Sequence, residues 1–283
     1  MRFGGERHQV LAFEADADAD ADAIANDAAE ASARAAEAGA VLAYGFVPAR
    51  HADRVFDALE WESLGAAPLL VRPLRLSSMA EALALPARAR ALLPALPLVA
   101  PFGRTRRSGF REIAVKEPRI TRLWDRFSID VGVALERNAS TFERRVFDGI
   151  EGSNRRVFIF EDGDRYAIRA MCIFEVQDEA GGRRGHVVEL LHDRSVTGLR
   201  AASHLLGLAL REMLDAGADA ALAWSLPSSG SYPIYARHAF FSPPQTLRED
   251  HLHMGVRAFD PQLDTLVTQR DRWYLSNLDR LAV

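Results

Sequence analysis

Only one cysteine, Cys172, occurs among the 283 residues, so no internal disulfide can form, and a reducing compartment is expected. Cys172 lies in the apolar run Met171-Cys-Ile173, whereas a thiol nucleophile needs an electropositive, accessible setting. No stretch reaches the roughly 18 apolar residues that a membrane-spanning helix requires. The start of the chain carries no basic segment leading into an apolar one, the pattern of a secretory leader. These absences give the expectation of a cytoplasmic protein with no membrane partner. Positive charge is not in excess either: 35 Lys and Arg stand against 39 Asp and Glu, for a net charge of −4, which speaks against nucleic acid as the main partner. No Gly-x-Ser-x-Gly elbow surrounds Ser228, Ser229 or Ser231, so hydrolase chemistry has no support. His251 and His253 can share one strand face, but no Cys or carboxylate set completes a zinc site around them. No metal is expected.

What is present is ordinary globular composition, 48% hydrophobic and 8% aromatic, in a chain long enough for one large or two modest domains. The most ordered pattern runs from Gly185 to Phe241. His186-Val-Val-Glu-Leu-Leu191 is a short apolar run with β-branched residues and predicts a buried strand. His192-Asp-Arg-Ser-Val-Thr-Gly198 reads as a polar loop. From Leu199 to Ala216 apolar residues recur at helical spacing, and Gly217 supplies the stop. A strand that feeds a helix through a Gly-bearing loop leaves unpaired N–H groups and a positive dipole end. It is either an anion site or an ordinary connection.

Ala220–Leu226 predicts another buried strand, Pro227–Ser231 a break, and Tyr232–His238 a short helix before Phe240-Phe241. Upstream, Arg156–Glu161 and Tyr166–Val176 read as a hairpin with Asp162-Gly-Asp164 as its turn. Gly181–Gly185 then turns into the strand of Val187.

An internal comparison pairs Ala38-Gly-Ala40, Val41–Pro48, Ala52–Leu59 and Glu60-Trp61 with Ala216-Gly-Ala218, Asp219–Leu226, Tyr232–His238 and Ala239-Phe240. This is either a short repeat or chance similarity between Ala-rich helices. In the repeat, Phe56 stands where Tyr235 stands. Met1–Phe13 contains a short strand pattern, and Ala28–Ala38 a helical one. Between them, the alternating Asp and Ala of Glu14–Ala23 give no consistent apolar face and predict a solvated, poorly ordered stretch. The Pro-interrupted segment from Leu74 to Phe110 carries Arg88, Arg90, Arg104, Arg106 and Arg107, with Arg111 just beyond. It reads as a solvated linker, or as a patch for phosphate or an acidic partner.

The order strand, loop, long helix, strand, short helix, ending in Tyr235-Ala-Arg-His-Ala-Phe240, resembles the GNAT superfamily of N-acetyltransferases. That family closes this unit with Tyr-x-x-x-Gly-Phe, and here Ala239 replaces the Gly. Its phosphate loop reads (Gln/Arg)-x-x-Gly-x-(Gly/Ala); Ser195-Val-Thr-Gly-Leu-Arg200 matches only at Gly198. Residues 41–75 and the closing Arg272-Trp-Tyr-Leu-Ser-Asn-Leu-Asp279 resemble bacterial proteins with two such domains in tandem. The resemblance implies an α/β (α+β) fold with a mixed, mostly antiparallel sheet flanked by helices. It also implies a partial first repeat over 1–75, a linker over 76–112 and a GNAT-like domain over 113–283.

The activity so implied is acyl transfer from acetyl-CoA to a small-molecule or peptide amine. Leu190, Leu191, Thr197, Gly198, Leu199, Arg200, Ala201 and Ala202 would then hold the cofactor, Glu189 would deprotonate the amine, and Tyr235 would protonate the departing thiolate. Two other readings stay open. Ser195, Arg200 and Phe56 suit a non-catalytic GNAT-like binding or scaffold module, including a homo-oligomer. The Arg88–Arg111 stretch suits a Fem-type aminoacyl transferase.

Overall fold

The computed structural model describes residues 2–3, 6–7, 10–15, 19–76, 109–114, 117–147, 154–163, 166–179, 182–243 and 251–280. Strands β1 (Arg2–Phe3), β2 (Glu6–Arg7) and β3 (Val10–Glu14) precede α1 (Ala21–Glu37), β4 (Leu42–Pro48), α2 (Ala49–Leu59), β5 (Glu62–Ala66) and β6 (Leu69–Pro73). From residue 110 onward come β7 (Phe110–Ile113), α3 (Arg119–Phe127), β8 (Val133–Ala134), α4 (Ala139–Phe142), β9 (Arg156–Asp162), β10 (Ala167–Glu179) and β11 (Gly182–His192). The chain continues through α5 (Val196–Asp215), β12 (Ala220–Trp224), α6 (Tyr232–Arg237), β13 (Leu252–Ala258), α7 (Asp264–Val267) and α8 (Asn277–Arg280).

The central sheet has the order β6-β12-β11-β10-β9-β7, and a second sheet has the order β3-β4-β13-β5. Only β11–β12 and β3–β4 pair parallel within them. A small third sheet orders β2-β1-β8. Each main sheet takes a strand from the far end of the chain: β6 pairs with β12, while β13 lies between β4 and β5.

Alternation along β10 decides which layer covers which face. Cys172 and Phe174 pack toward α5 with Leu205, Leu206 and Ala209. Met171 and Ile173 pack toward α3 with Ile120, Leu123 and Trp124. Tyr44, Phe46, Trp224 and Trp273 form a third apolar cluster, in which the Phe46 and Trp224 ring centroids lie 4.9 Å apart. Helices α1 and α2 cover the outer face of the second sheet through Ile24, Ala28, Val55 and Phe56.

Two expectations about local structure are corrected. The Asp/Ala tract is not solvated throughout: β3 takes Glu14, and residues 21–23 form the first turn of α1. Asp20 caps that helix, its side chain accepting from the amides of Asp22 and Ala23. Ala21, Ile24 and Ala28 form the buried face, with alanine small enough to serve as an apolar contact beside Asp neighbours. The loop expected over 192–198 is shorter too. Strand β11 runs through His192 and α5 begins at Val196, placing Gly198 inside the first helical turn.

Candidate functional site

Strands β11 and β12 pair from Arg184↔Ala220 to Val187↔Ala223 and then part, since β11 continues to His192 while β12 ends at Trp224. The parting coincides with a bulge: Phe174 of β10 faces Val187 and Ile173 faces Glu189, leaving Val188 without a partner. A bulge at this point turns the rest of β11 away from its neighbour. Side chains reach the freed backbone. Asn277 Nδ2 donates to Val187 O at 3.0 Å, and the Ser231 hydroxyl donates to Leu190 O at 2.7 Å.

Glu189 lies just past the bulge and is wholly buried. Its Oε1 accepts from the Leu190 amide at 3.0 Å and from the Tyr274 hydroxyl, and its Oε2 accepts from Arg137 Nε at 3.0 Å and from Ser276 Oγ at 2.9 Å. Arg137, also fully buried, continues to Asp279, Ser276 and Leu135 O, and its guanidinium lies 5.0 Å from the Tyr274 ring centroid. Burial alone would lower the Arg137 pKa, but Asp279 and Glu189 reverse the direction and raise it. Four side chains of the closing segment, Tyr274, Ser276, Asn277 and Asp279, thus converge on β11 and Arg137. Glu189, expected as the base, is a saturated anchor with no oxygen free to take a proton from a substrate.

At the head of α5 the chain supplies its own anion. Asp193 Oδ1 accepts from the Ser195 amide at 3.1 Å and from the Ser195 hydroxyl, while Ser195 Oγ accepts from the Gly198 amide at 3.0 Å. Asp193 Oδ2 receives Arg169 Nη1 at 2.7 Å. Burial would raise the Asp193 pKa, yet these hydrogen bonds from Ser195 and Arg169 hold it below the usual carboxylate range. Gly198 is required by close approach, because a Cβ there would collide with Asp193 Oδ1 and stand 2.6 Å from Asp193 O. The glycine that matches the family's loop therefore makes room for a carboxylate of this chain.

Of the other residues expected to hold the cofactor, Leu190, Ala201 and Ala202 are buried against α5 and the sheet, and Leu191 is buried on the α3 side. Thr197, Leu199 and Arg200 are exposed. Tyr235 is buried beside Phe240, with ring centroids 5.2 Å apart. Burial, reinforced by nearby Cys172 and Glu189, raises the Tyr235 pKa well above 10, so the hydroxyl keeps its proton. Burial also raises the Cys172 thiol pKa.

A cavity of about 350 Å3 opens at the C-terminal ends of β11 and β12, walled by Phe127, Val131, His192, Leu199, Ser228, Gly230, Trp273 and Tyr274. His192 is a residue that sequence reasoning did not single out. Its Nδ1 lies 2.9 Å from Asp193 O and its Nε2 lies 3.2 Å from Gly230 O, fixing the ring on the cavity wall. The one available signal was its place directly after the strand pattern that ends at Leu191. At the rim Arg194 is paired with Asp130.

The internal comparison has a local counterpart in three dimensions. Trp61 N donates to Phe56 O at 2.9 Å and Phe240 N donates to Tyr235 O at 3.1 Å. The residues before them, Glu60 and Ala239, both adopt left-handed backbone, with φ of 54° and 57°. Phe56 carries no hydroxyl there.

The His251 and His253 rings lie 5.1 Å apart. Among the described residues, no group of three or more His, Cys, Asp or Glu is placed to hold a metal ion, and no helix is long and apolar enough to cross a membrane. Arg88, Arg90, Arg104, Arg106 and Arg107 lie outside the described residues. Arg111 is ion-paired with Glu117 and Glu161.

No family model and no curated protein matches the sequence. Solved structures are similar to it. Saccharomyces cerevisiae N-myristoyltransferase with bound myristoyl-CoA aligns at a TM-score of 0.51 and 15% identity, over 81% of this chain and 54% of that one. A GCN5-related N-acetyltransferase from Anabaena variabilis aligns at 0.47 and 10% identity, over 82% and 50%. A tandem GNAT protein from the clavulanic acid biosynthesis pathway aligns at 0.43 and 12% identity, over 81% and 68%. The chain spans about half the length of the first two. The likeness to N-myristoyltransferase places this chain in the fold class read from the sequence, mixed and mostly antiparallel sheets flanked by helices.

Proposed function

We propose that this chain is an acyltransferase of the N-acetyltransferase kind, moving an acyl group from a thioester donor, acetyl-CoA in the simplest case, to a small-molecule or peptide amine. The observation that carries the reading is the parting of β11 from β12 at the Val188 bulge, directly behind a cavity walled by His192. A thioester entering the cavity meets His192 on its wall, and Tyr235 lies buried beyond the lining, four residues after Ser231, whose hydroxyl holds Leu190 O.

In the proposed step the amine nitrogen attacks the thioester carbonyl carbon, the new C–N bond forms and the C–S bond breaks. His192, with Nδ1–H donating to Asp193 O, turns Nε2 from Gly230 O to the amine and takes its proton, and the Tyr235 hydroxyl gives its proton to the thiolate. The Tyr235 hydroxyl is protonated at neutral pH and so has a proton to give, while the burial that raises its pKa makes it a weaker acid. Glu189 acts indirectly, by fixing the bulge through Arg137 and the closing segment.

The test is calorimetric titration with acetyl-CoA, followed by thiol release in the presence of a panel of amines. Saturable binding and amine-dependent thiol release are expected, and Tyr235→Phe should slow release by about 10²-fold or more while the fold is kept. Absence of binding at millimolar donor would sink the reading. The saturation of Glu189 favours a second one, a non-catalytic module in which the same fold serves as a binding or scaffold unit; that reading predicts the negative result.

A further inference from the structure

We propose that the acceptor is a primary monoamine carried on a small apolar body, its nitrogen held against His192 Nε2 and Gly230 O. The inference rests on the acyl-transfer reading and deepens it by naming the substrate class. It starts from two carbonyl oxygens that face one imidazole: Asp193 O lies 2.9 Å from Nδ1, and Gly230 O lies 3.2 Å from Nε2. A neutral imidazole has one N–H to donate. With that proton on Nδ1, at the shorter contact, Nε2 and Gly230 O are two acceptors turned toward each other. A primary amine beside them donates one N–H to each, whereas a carboxylate has no N–H to give. The same contact sets the amine at the nitrogen that takes its proton.

The body of the amine follows from the burial of the lining. Its buried members are Phe127, His192, Ser229, Trp273 and Tyr274, while its charged members, Asp130, Arg194, Asp271 and Arg272, are all exposed. Charge thus stands at the mouth, in both signs, and rings form the floor. The polar atoms of those rings are committed within the protein: the Tyr274 hydroxyl donates to Glu189, and Trp273 Nε1 donates to Val267 O at 2.7 Å. Ser229 Oγ accepts from the Ser231 amide at 3.3 Å. Phe127 meets the His192 ring edge-on, with centroids 5.4 Å apart. Beside Nε2 the floor therefore presents ring carbon, which rewards an apolar body and penalises a second polar group left without a partner. Apolar surroundings also disfavour the ammonium form, and attack on a thioester needs the neutral amine. At about 350 Å3 the cavity is near the lower end of the roughly 300–1,000 Å3 typical of small-molecule sites, which suits a small amine.

The test is calorimetric titration of the full chain, without donor, with phenethylamine, butane-1,4-diamine and 3-phenylpropanoate. Phenethylamine should bind about tenfold or more tighter than either, because the diamine carries a second polar group to the ring floor and the acid keeps the apolar body but has no N–H. Leu199→Lys, at an exposed position on the wall, should weaken phenethylamine about tenfold with the urea midpoint kept. Diamine or acid binding as tightly as phenethylamine overturns the proposal, and so does phenethylamine binding that is indifferent to Leu199→Lys. Thiol release from acetyl-CoA judges the underlying reading separately. Release with other amines but no phenethylamine binding leaves acyl transfer standing and sinks the proposal. Phenethylamine binding in the expected order, with no release for any amine, leaves the amine site and sinks acyl transfer. The order of affinities on the unmodified chain decides the proposal even where the variant does not fold.

Discussion

Asp193 and Ser195 are joined twice at the head of α5: the Ser195 amide donates to Asp193 Oδ1 at 3.1 Å and the Ser195 hydroxyl donates to the same oxygen. Ser195 Oγ in turn accepts from the Gly198 amide, so one carboxylate and one hydroxyl cap a 20-residue helix at the Ser195 and Gly198 amides. Ser195→Ala removes the capping oxygen and should cost about 1 kcal/mol, read as a lower midpoint in urea. Asp193 has a folded pKa below its ordinary value of 3.8. Its contribution is therefore complete above about pH 4 and lost as pH falls through the lower folded value. Asp193→Asn should flatten that acid limb of a stability-versus-pH curve; an unchanged limb would show that the pair contributes nothing.

Glu189 and Tyr235 should separate under mutation. Glu189 is held by four donors in a wholly buried cluster with Arg137, and removing one charge of a buried pair typically costs about 3–5 kcal/mol. Glu189→Gln is expected to lower the denaturation midpoint sharply, and Arg137→Met to do the same. Tyr235→Phe removes one hydroxyl and should leave the midpoint within about 1 kcal/mol while slowing thiol release. The reverse pattern, a stable and inactive Glu189→Gln, would return the base to Glu189.

The sequence pattern was legible wherever one face of an element decides its fate. A short apolar run with β-branched residues marked β11, the hairpin about Asp162-Gly-Asp164 marked β10, period 3.6 marked α5, and Pro227 with Gly230 marked the break before α6. The Arg137 cluster was not legible. Its members lie 52 and 142 positions from Arg137, and nothing local to Glu189 distinguishes a carboxylate that will be saturated from one that will be free. Nor does residue order reveal that β13 lies between β4 and β5. Asp193 read as one polar residue in a loop, because only the turn geometry aims it back at its own helix. The start of α1 was hidden by its Asp residues, although Ala21, Ile24 and Ala28 carried the helical spacing all along.

Ala239 occupies left-handed backbone at φ 57°, where a Cβ is unfavourable by roughly 1–2 kcal/mol and glycine is not. Ala239→Gly loses some of that gain to the greater freedom of glycine in the unfolded chain. The net expectation is a stabilisation of about 0.5–1 kcal/mol, measured by urea denaturation. A destabilisation would show that the Ala239 methyl group contributes packing that outweighs its backbone strain.

His238 should make stability fall in mild acid. Burial, aided by the charge of Arg72, lowers its pKa from 6.5 to about 4. Between those values the unfolded chain binds the proton and the folded chain does not, so acidification favours unfolding by up to about 3 kcal/mol across the window. The imidazole Nε2 lies 2.9 Å from Ser203 Oγ, a contact that Gln can replace. His238→Gln is expected to remove most of the slope between pH 6.5 and 4 in a series of urea titrations. A slope that persists would assign it to other groups.

His192 carries the proposed proton transfer, and its position separates chemistry from architecture. Nδ1 faces Asp193 O inside the protein at 2.9 Å, and Nε2 is the nitrogen set near Gly230 at the cavity. His192→Asn can still donate to Asp193 O but offers no imidazole nitrogen to an amine. Thiol release should fall by about 10²-fold, with acetyl-CoA affinity and urea midpoint nearly unchanged. His192→Ala should lose release to a similar extent and regain part of it when imidazole is added to the assay, because the vacated wall can admit the missing base. Equal loss of binding and rate in both variants, without rescue, would make His192 a wall residue and leave the amine proton to solvent.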